Sequence, residues 1–498
     1  MKKILILIIA FLIFAPMPQC CIGAAADDGK GLYMKHCASC HHPERYGLKA
    51  PALIPDTLKA YNNEELSGII KDGLPASQMP SFKGVLTDGD IDKIISHITR
   101  PLSNIKWGME DIVKSREVLT EAESQNIPSS SFVKTGGIDY EDITLVVESG
   151  KSVTVMDGQN FRPIDKFQVG AIHGGPKFSY SLQYIYAPAR DGVITKYDLY
   201  ALKKVGSVKA GINTRNIAIS HDDKWVAVAN GLPSNIVFLN DKLEPGYVLE
   251  TSGKIGGIYT LTSDKRFVCS FRDASKLWLI NYAKGFEIET LALPEPFEDI
   301  SISPFEDIII GSSRNGSMIY IYSLKGKKVL ATFKTDGMPH LASATYWTDK
   351  GALYAAINHL KRPVVTILDL SNMKVVREIN LKGSGFFVRT HQDTPFIWID
   401  TNTDAIQIID KSTLQVVKDL IPSTDKKAMH IEFTKDGRYA LVSIYEDEGS
   451  LVIYDAFKLE EVKRMPFKKP AGKYNALNKT YPVRQYSPVK TSAAAAGQ

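Results

Sequence analysis

Cysteine is scarce in this chain, which has only five among 498 residues. Cys20 and Cys21 fall in the N-terminal leader and Cys37 and Cys40 share one short motif, so Cys269 alone is left. A disulfide framework is therefore excluded for the chain without its leader. Cys269 lies in the apolar run KRFVCSF and is expected to be a buried core thiol.

An excess of one charge sign is also missing. The 60 basic and 55 acidic residues leave a net charge of +5, and no basic block interrupts the mixture. The sequence therefore gives no indication of nucleic-acid binding. Long apolar runs are absent beyond the leader, so no transmembrane segment is expected.

The leader has the features of a secretory signal peptide, predicted over residues 1–26. Lys2 and Lys3 precede an apolar stretch at residues 4–14, and small residues follow it. This pattern predicts export to the periplasm. A lipid anchor at Cys20 is the alternative, but Gln19 stands where a lipoprotein signal needs a small residue.

Cys37, Cys40 and His41 form a C-x-x-C-H pattern in HCASCHHPE, which is typical of covalent haem c attachment. Downstream, Met79 precedes a proline in GLPASQMPSFKG. The arrangement resembles class I cytochromes c over residues 27–102. The resemblance makes His41 the proximal iron ligand and Met79 the distal one, and a thioether ligand raises the reduction potential.

A helix is predicted over residues 87–98, with Asp88 as its cap. Four apolar residues follow a helical spacing there: Ile91, Ile94, Ile95 and Ile98. Residues 103–135 are polar and end in a Pro/Ser cluster, which predicts a linker with one short helix.

Beyond the linker, an apolar strand that ends in Asp, Asn or Ser recurs every 41–46 residues. The eight ends are Asp157, Asp198, Asn240, Asn281, Ser323, Asp369, Asp410 and Asp455. A period of about 40–45 residues is typical of propeller blades with four strands each. The sequence thus predicts a small all-α cytochrome c domain followed by an all-β eight-bladed β-propeller over residues 136–482, with a disordered tail over 483–498.

Five stretches of the chain resemble blocks of the cytochrome cd1 family, in the family's order. They are GAIHGGPKFSYSLQYIYAPARDGVITKYDLY, KAGINTRNIAIS, GSGFFVRTHQDTPFIWID, MHIEFTKDGRYALVSIY and KPAGKYNALNKT. The resemblance implies a non-covalent haem d1 or dihydro-haem d1 in the propeller beside one covalent haem c. It makes His173 the proximal ligand of the d1 iron, with the Gly174-Gly175 pair letting backbone approach the flat macrocycle.

The same resemblance places His340 on the distal side of the d1 iron, and His359 fits a second distal position less well. Arg190 and Arg215 match arginines of the family, and Arg389 is a third candidate, because guanidinium groups bind the carboxylates of haem d1 bidentately. Each histidine could instead be a hydrogen-bonded structural residue. Arg190 could instead hold the R-D-G turn.

The family contains two chemistries. Nitrite reductases form nitric oxide on the d1 iron, whereas a second group with the same layout oxidises a propionate of dihydro-haem d1 to acrylate during haem d1 biosynthesis. Tyr474 in AGKYNALN, where reductases have Phe, and the MHIEF around His430 resemble the second group. The resemblance therefore implies His430 as the base, Tyr474 as its proton-handling partner and haem c as the electron acceptor.

Three alternatives stay open. His340 and His359 together would suit a nitrite reductase, and a non-catalytic haem d1 carrier would need no catalytic residue at all. Tyr474 could be a packing aromatic and His430 a structural histidine. The partners expected are a tetrapyrrole substrate, an electron-acceptor protein and a cd1 nitrite reductase that receives haem d1.

Overall fold

The computed structural model describes residues 28–47, 50–58, 61–73, 79–102, 107–119, 137–148, 151–313 and 317–486. The predicted signal peptide, the possible lipid anchor, residues 487–498 of the predicted tail and much of the predicted linker lie outside these residues. The tail was predicted to begin at residue 483, but Pro482–Gln485 form a 3-10 helix and Tyr486 donates to the carbonyl of Tyr346, so residues 483–486 are ordered. Within the described part of the chain, no helix is both long and apolar enough to cross a membrane.

The N-terminal domain is a small helical unit. Its helices are α1 (Asp28–His36), α2 (Ala38–His41), α3 (Pro55–Leu58), α4 (Asn63–Asp72) and α5 (Asp88–Ile98). Tyr33 of α1 is completely buried, and the four predicted apolar residues of α5 are each at most 3 % exposed. They share one hydrophobic cluster with Leu66 and Ile70 of α4, so the helical spacing read from the sequence is the buried face.

The predicted cap of α5 is wrong by one residue. Thr87, not Asp88, is the N-cap, since its hydroxyl accepts the N–H of Asp90 while the Asp90 carboxylate accepts the N–H of Thr87. This reciprocal pair is a capping box, and it satisfies two backbone donors at the helix start. Asp88 lies in the first turn, where its charge favours the helix dipole.

Residues 107–119 pack on the propeller and are not a free linker. They contain the predicted short helix, α6 (Met109–Lys114), followed by β1 (Glu117–Val118). Ile112 is fully buried in a propeller core cluster, and Trp107 Nε1 donates to the carbonyl of Lys209 at 3.0 Å.

The propeller follows with eight blades. The first two are β2 (Ile143–Glu148), β3 (Ser152–Asp157), β4 (Pro163–Gln168), and β5 (Lys177–Phe178), β6 (Tyr184–Pro188), β7 (Val193–Asp198), β8 (Lys203–Lys209). The third blade consists of β9 (Asn213–Ile219), β10 (Trp225–Leu232), β11 (Ser234–Asn240) and β12 (Pro245–Glu250). The fourth consists of β13 (Ile255–Leu261), β14 (Arg266–Phe271), β15 (Lys276–Asn281) and β16 (Glu287–Ala292). The fifth consists of β17 (Asp299–Ile302), β18 (Ile308–Ser312), β19 (Met318–Ser323) and β20 (Lys328–Lys334).

The last three blades complete the ring. They are β21 (Thr345–Asp349), β22 (Ala352–Asn358), β23 (Val364–Asp369), β24 (Lys374–Asn380), then β25 (Val388–Thr390), β26 (Phe396–Asp400), β27 (Ile406–Asp410), β28 (Gln415–Leu420), and β29 (Ala428–Phe433), β30 (Tyr439–Ile444), β31 (Gly449–Asp455), β32 (Glu460–Phe467). Finally β33 (Pro470–Asn475) and α7 (Ala476–Thr480) return to the first blade.

Every blade is antiparallel, and the first is closed by the C-terminal strand β33, which pairs with β2. This pairing joins the two ends of the ring. The β1 strand pairs with β8 as a fifth strand of the second blade. Each of the eight predicted strand ends is the last residue of the third strand in its blade, so the predicted fold is confirmed.

Candidate functional site

The innermost strand of a blade is β33 in the first blade and the first strand in each of the others, and these strands face the central channel. Several neighbouring inner strands contact each other, among them β9 with β13 and β29 with β33. The predicted site residues on these strands, or on the loops that lead into them, are His173, Arg215, His340, Arg389, His430 and Tyr474. Arg190 lies between β6 and β7, and its N–H bonds the carbonyl of Ala171 beside the His173 loop. The fold therefore brings residues from six blades to one place.

Two channel histidines are oriented in the same way. His173 Nδ1 donates to the carbonyl of Arg215 at 2.6 Å, and His340 Nδ1 donates to the carbonyl of Phe386 at 2.7 Å. Such a bond fixes the tautomer and leaves Nε2 unprotonated, which is the form that binds iron. Burial and the nearby arginines hold the pKa of His173 well below its usual range, which also favours the neutral ligand.

His359 differs from both. It is completely buried, with Nδ1 bonded to the carbonyl of Asp336 at 2.5 Å and Nε2 bonded to Thr366 Oγ1 at 2.9 Å. Both of its ring nitrogens are thus occupied within the protein, whereas His340 retains Nε2. His391 is likewise buried, and its Nε2 contacts the carbonyl of Lys435 at 3.1 Å.

Cations surround the channel. Arg190, Arg215 and Arg389 are joined by Lys177 and Lys479, two lysines that line a cavity of about 400 Å³ together with α7 and the strands β9 and β13. Burial lowers the pKa of Lys479 to about 8, with Arg389 adding to this, although Lys479 Nζ lies 2.8 Å from a Glu432 carboxylate oxygen. The five cations outnumber Glu432 and Glu306, a second acidic residue that lines the same cavity, so the site favours an anionic ligand.

Arg389 shows where such a ligand would bind. Its Nη1 donates to the carbonyl of Ser343 at 2.8 Å, while its buried Nε has no hydrogen-bond partner among the described residues. A buried guanidinium N–H without an acceptor is costly, and a carboxylate would satisfy it. These residues therefore fit a flat tetrapyrrole that carries several carboxylates, and His173 and His340 each keep Nε2 for an iron.

The glycine pair after His173 has a further role beyond the one expected. A Cβ at Gly175 would come within 2.5 Å of the Tyr474 ring, and one at Gly174 within 2.8 Å of Asn216 Cβ. Both glycines have positive φ angles, +77° and +73°. They permit the His173 loop to pack directly on Tyr474 and Asn216, which the sequence did not indicate.

His430 and Tyr474 face each other on neighbouring strands, with ring centroids 5.6 Å apart in an edge-on arrangement. His430 is 2 % exposed, and burial together with Lys473 and Arg389 holds its pKa well below the usual range. Burial raises the pKa of Tyr474 to about 12. At neutral pH the pair is therefore a neutral imidazole beside a protonated phenol.

In the cytochrome domain, Cys37 precedes α2 and Cys40 and His41 end it, so one helical turn presents all three side chains. His41 Nδ1 donates to the carbonyl of Pro51 at 2.7 Å, leaving Nε2 for an iron. Met79 packs against the same hydrophobic cluster as Cys37. The C-x-x-C-H donor set and this tautomer fit a covalent haem c.

The haem c motif lies beside the propeller. A Cβ at Gly47 would come within 3.1 Å of Asn213 Nδ2, so the loop after His41 packs on the third blade. Burial lowers the pKa of His41, and the charge of Arg190 adds to this effect. The predicted haem c ligand and a predicted haem d1 clamp are therefore neighbours.

Several residues at the site were missed by sequence reasoning: Lys177, Arg272, Phe387, Asp400, Lys473 and Lys479. All but Arg272 lie inside the five stretches that resemble the cytochrome cd1 family, so the sequence could have indicated them as candidates. No spacing rule distinguishes a channel-facing lysine from a solvated one, because strand alternation alone does not identify the channel face.

Comparison with known proteins gives a consistent result. The family model described as "Cytochrome D1 heme domain" matches residues 138–479, and one described as "Cytochrome C oxidase, cbb3-type, subunit III" matches residues 24–98. The chain is 38 % identical over 472 residues to a dihydro-heme d1 dehydrogenase of Pseudomonas aeruginosa, covering 92 % of this chain and 95 % of that protein.

Two other similarities are informative. A nitrite reductase of Stutzerimonas stutzeri is 21 % identical over 525 residues, covering 91 % of this chain and 92 % of the reductase. A solved structure described as dihydro-heme d1 dehydrogenase NirN in complex with DHE matches with a TM-score of 0.77 at 38 % identity, covering 91 % of this chain and all of that one.

Proposed function

The chain belongs to the cytochrome d1 haem domain family, and we propose on that basis that it is an oxidoreductase of haem d1 biosynthesis, a dihydro-haem d1 dehydrogenase. The observation that carries the proposal is the neutral His430–Tyr474 pair at the wall of a cationic channel. The substrate is a tetrapyrrole whose propionate becomes an acrylate. That step breaks two C–H bonds, forms one C=C bond, and releases two electrons and two protons.

His430 is suited to take a proton from the propionate. Its ring is neutral at physiological pH because burial disfavours the imidazolium. The N–H of Lys473 contacts His430 Nδ1 at 3.4 Å, a long hydrogen bond. If the ring proton moves to Nδ1, so that Nε2 can act as the base, only this weak hydrogen bond is lost. Nε2 has no other partner among the described residues.

Tyr474 is suited to orient the side chain and relay a proton. Its phenol stays protonated with a pKa of about 12, so it acts as a hydrogen-bond donor and not as a phenolate base. Its ring rests on Gly175, which limits where the hydroxyl can lie. The phenol is thereby fixed relative to the loop that carries His173.

The cations of the channel hold the substrate's carboxylates. One group of cations near His430 consists of Arg389, Lys177 and Lys479. Arg389 lowers the pKa of both lysines, and the charges of Arg389 and Lys479 lower that of His430. Arg190 and Arg215 form a second group near His173. Carboxylates bound at both groups would hold the ring plane fixed while His173 and His340 bind the iron.

The cytochrome domain provides the electron acceptor. Cys37 and Cys40 would hold a covalent haem c, and His41 and Met79 would bind its iron. When bound, this group would supply one-electron redox chemistry at a potential raised by the thioether. The contact of Gly47 with Asn213 keeps this motif against the propeller. One haem c takes one electron at a time, so an external electron-acceptor protein is also required.

We further propose that the leader over residues 1–26 exports the chain to the periplasm and that the product passes to a cd1 nitrite reductase in denitrification. The leader's positive start and apolar stretch support export. A cytochrome c with free thiols for haem attachment is consistent with that compartment.

Nitrite reduction is the second candidate function, and the similarity to a nitrite reductase over most of both chains supports it. The two distal histidines that it would use are not equivalent, however. His340 keeps Nε2 available, whereas both ring nitrogens of His359 are bonded to Asp336 and Thr366. Of these two histidines, only His340 therefore keeps a ring nitrogen for a ligand.

Tyr474→Phe tests the dehydrogenase function against the carrier function. The variant keeps the ring that packs on Gly175 and loses only the hydroxyl. A dehydrogenase is expected to bind dihydro-haem d1 normally and to form the acrylate product far more slowly, measured by mass spectrometry of the extracted tetrapyrrole. Product formation at the wild-type rate would contradict the role of Tyr474, and no product with either protein would favour a carrier.

A further inference from the structure

Asp400 ends strand β26 with its carboxylate completely buried. One oxygen, Oδ1, accepts the N–H groups of Phe386 at 2.6 Å and Phe387 at 3.3 Å. The other oxygen, Oδ2, accepts the N–H of His430 at 3.1 Å. A single buried carboxylate therefore bonds two separate segments of the channel wall.

These two segments carry the two functional imidazoles. The carbonyl of Phe386 accepts the Nδ1 proton of His340 at 2.7 Å, so the peptide held by Asp400 is the one that orients His340. The ring of Phe387 contacts both imidazoles. Its centroid lies 4.4 Å from the centroid of the His430 ring and 6.4 Å from that of the His340 ring. Asp400 thus reaches His340 through one peptide and His430 directly.

The backbone of His430 needs such support. Its φ angle is +49°, which is unfavourable for a residue with a Cβ, and it lies at a register shift between Met429 and Ile431. Its carbonyl accepts a hydrogen bond from Nζ of the fully buried Lys473, and the same Nζ also donates to Ser443 Oγ at 2.6 Å. Asp400 therefore holds the N–H of this residue and Lys473 holds its C=O.

We propose that Asp400 is a positioning residue that fixes His340 and His430 relative to each other, with Lys473 as a second support that acts on His430 alone. Because the carboxylate is shared, the iron-side imidazole and the proton-accepting imidazole cannot shift independently. The tetrapyrrole iron and the ring carbon that bears the propionate are rigidly connected through the macrocycle, so a fixed separation between these two side chains matches a fixed separation in the substrate. This inference rests on the proposed dehydrogenase function.

Asp400→Asn tests the proposal in the full-length protein loaded with dihydro-haem d1. Asparagine has one oxygen and one NH₂ group, so its nitrogen must face at least one of the three N–H donors. We expect altered axial ligation of the tetrapyrrole iron, seen by electron paramagnetic resonance, and a kcat lower by on the order of 10²-fold with an unchanged KM. Lys473→Met is expected to lower kcat while leaving the ligation spectrum unchanged.

Asp369→Asn is the matched control. Its carboxylate is also buried and also accepts two backbone N–H groups, from Ser371 and Asn372, but it ends the third strand of its blade. The control is expected to lower the melting temperature without changing the ligation spectrum or kcat. Should Asp400→Asn fail to fold, Asp400→Glu is read in the same way, since a longer side chain cannot serve the same three donors.

The proposal would be overturned if the Asp400 variant kept the wild-type ligation and kcat. It would also be overturned if Asp400→Asn and Asp369→Asn showed identical changes. The ligation spectrum requires bound tetrapyrrole but no turnover. A wild-type protein that binds the tetrapyrrole without oxidising it would therefore refute the dehydrogenase function while the spectrum still tests the link from Asp400 to His340.

Discussion

The phenol ring of Tyr474 packs directly against the backbone of Gly175, two residues beyond His173. Because Gly175 has a positive φ and no Cβ, the loop carrying the proximal ligand can approach the ring to a distance that no other residue would permit. The loop that carries the proposed iron ligand and the residue proposed to handle the proton are thus in contact, although they belong to neighbouring blades.

Gly175→Ala is predicted to impair dehydrogenation more than stability. A left-handed alanine costs roughly 1–2 kcal/mol, and the new Cβ would in addition displace Tyr474. Gly351→Ala is the matched control, since Gly351 has φ +81° with open space around its Cβ position. Both variants are expected to lose similar thermal stability, and only Gly175→Ala is expected to lose turnover; equal turnover in the two would refute the contact's importance.

His340 and His359 are predicted to behave oppositely when replaced by alanine. His340→Ala should change the axial ligation of bound dihydro-haem d1, because it removes an imidazole with an available Nε2. His359→Ala should leave ligation unchanged and lower the free energy of unfolding by about 1–3 kcal/mol, since it leaves buried partners unsatisfied. Electron paramagnetic resonance and chemical denaturation measure the two effects, and a ligation change in His359→Ala alone would reverse the assignment.

Affinity for the tetrapyrrole is predicted to depend on pH through Lys479. Its pKa of about 8 lies below the usual lysine value, so the ammonium is present below pH 8 and is lost as the pH rises through it. Arg389 and Lys177 face this group and lower its pKa, whereas Glu432 raises it. Loss of one charge-assisted carboxylate bond should weaken binding by about tenfold.

Equilibrium titrations with dihydro-haem d1 between pH 6.5 and 9.5 would measure this dependence; these limits bracket the Lys479 pKa of about 8. Lys479→Met should bind weakly at every pH and show a flat profile. Lys374→Met is the control, because Lys374 lies on an outer strand with its side chain 61 % exposed, and it should retain the wild-type profile. A pH-dependent profile in Lys479→Met would assign the effect to another group.

Met79→Ala is predicted to lower the reduction potential of the haem c. The thioether stabilises ferrous iron, so a weaker sixth ligand favours the ferric state. Redox titration of the cytochrome band measures the shift, with Met34→Ala as the control because Met34 is 45 % exposed on α1. An unchanged potential in Met79→Ala would mean that another group is the sixth ligand.

Much of the fold could be predicted from the sequence because the blade repeat is locally encoded. Each third strand ends in a turn-forming residue such as Asp157 or Asp369, whose carboxylate accepts the N–H groups of the turn that follows. The helix of the cytochrome domain was equally visible in its isoleucine spacing. Its cap was misplaced because Thr87 and Asp88 are both good N-cap residues, and only the Asp90 contact distinguishes them.

The site was only partly predictable. His173 and Tyr474 lie in motifs that can be matched within one stretch of chain. Asp400 and Lys473 act through bonds to residues 30 and 43 positions away, and such pairings appear only once the blades are assembled. The docking of residues 107–119 was missed for the same reason, since a short polar segment does not reveal which surface will bury Ile112.

The direction of electron flow is the most direct test of the proposed function. The protein with oxidised haem c, in more than twofold molar excess over the tetrapyrrole, should be mixed anaerobically with dihydro-haem d1, without nitrite or an external donor, and followed by visible spectroscopy and mass spectrometry. We predict that two haem c groups become reduced for each tetrapyrrole that loses two hydrogen atoms. The proposal would be contradicted if haem c stayed oxidised and the mass of the tetrapyrrole did not change, while the same protein reduced nitrite when given an electron donor.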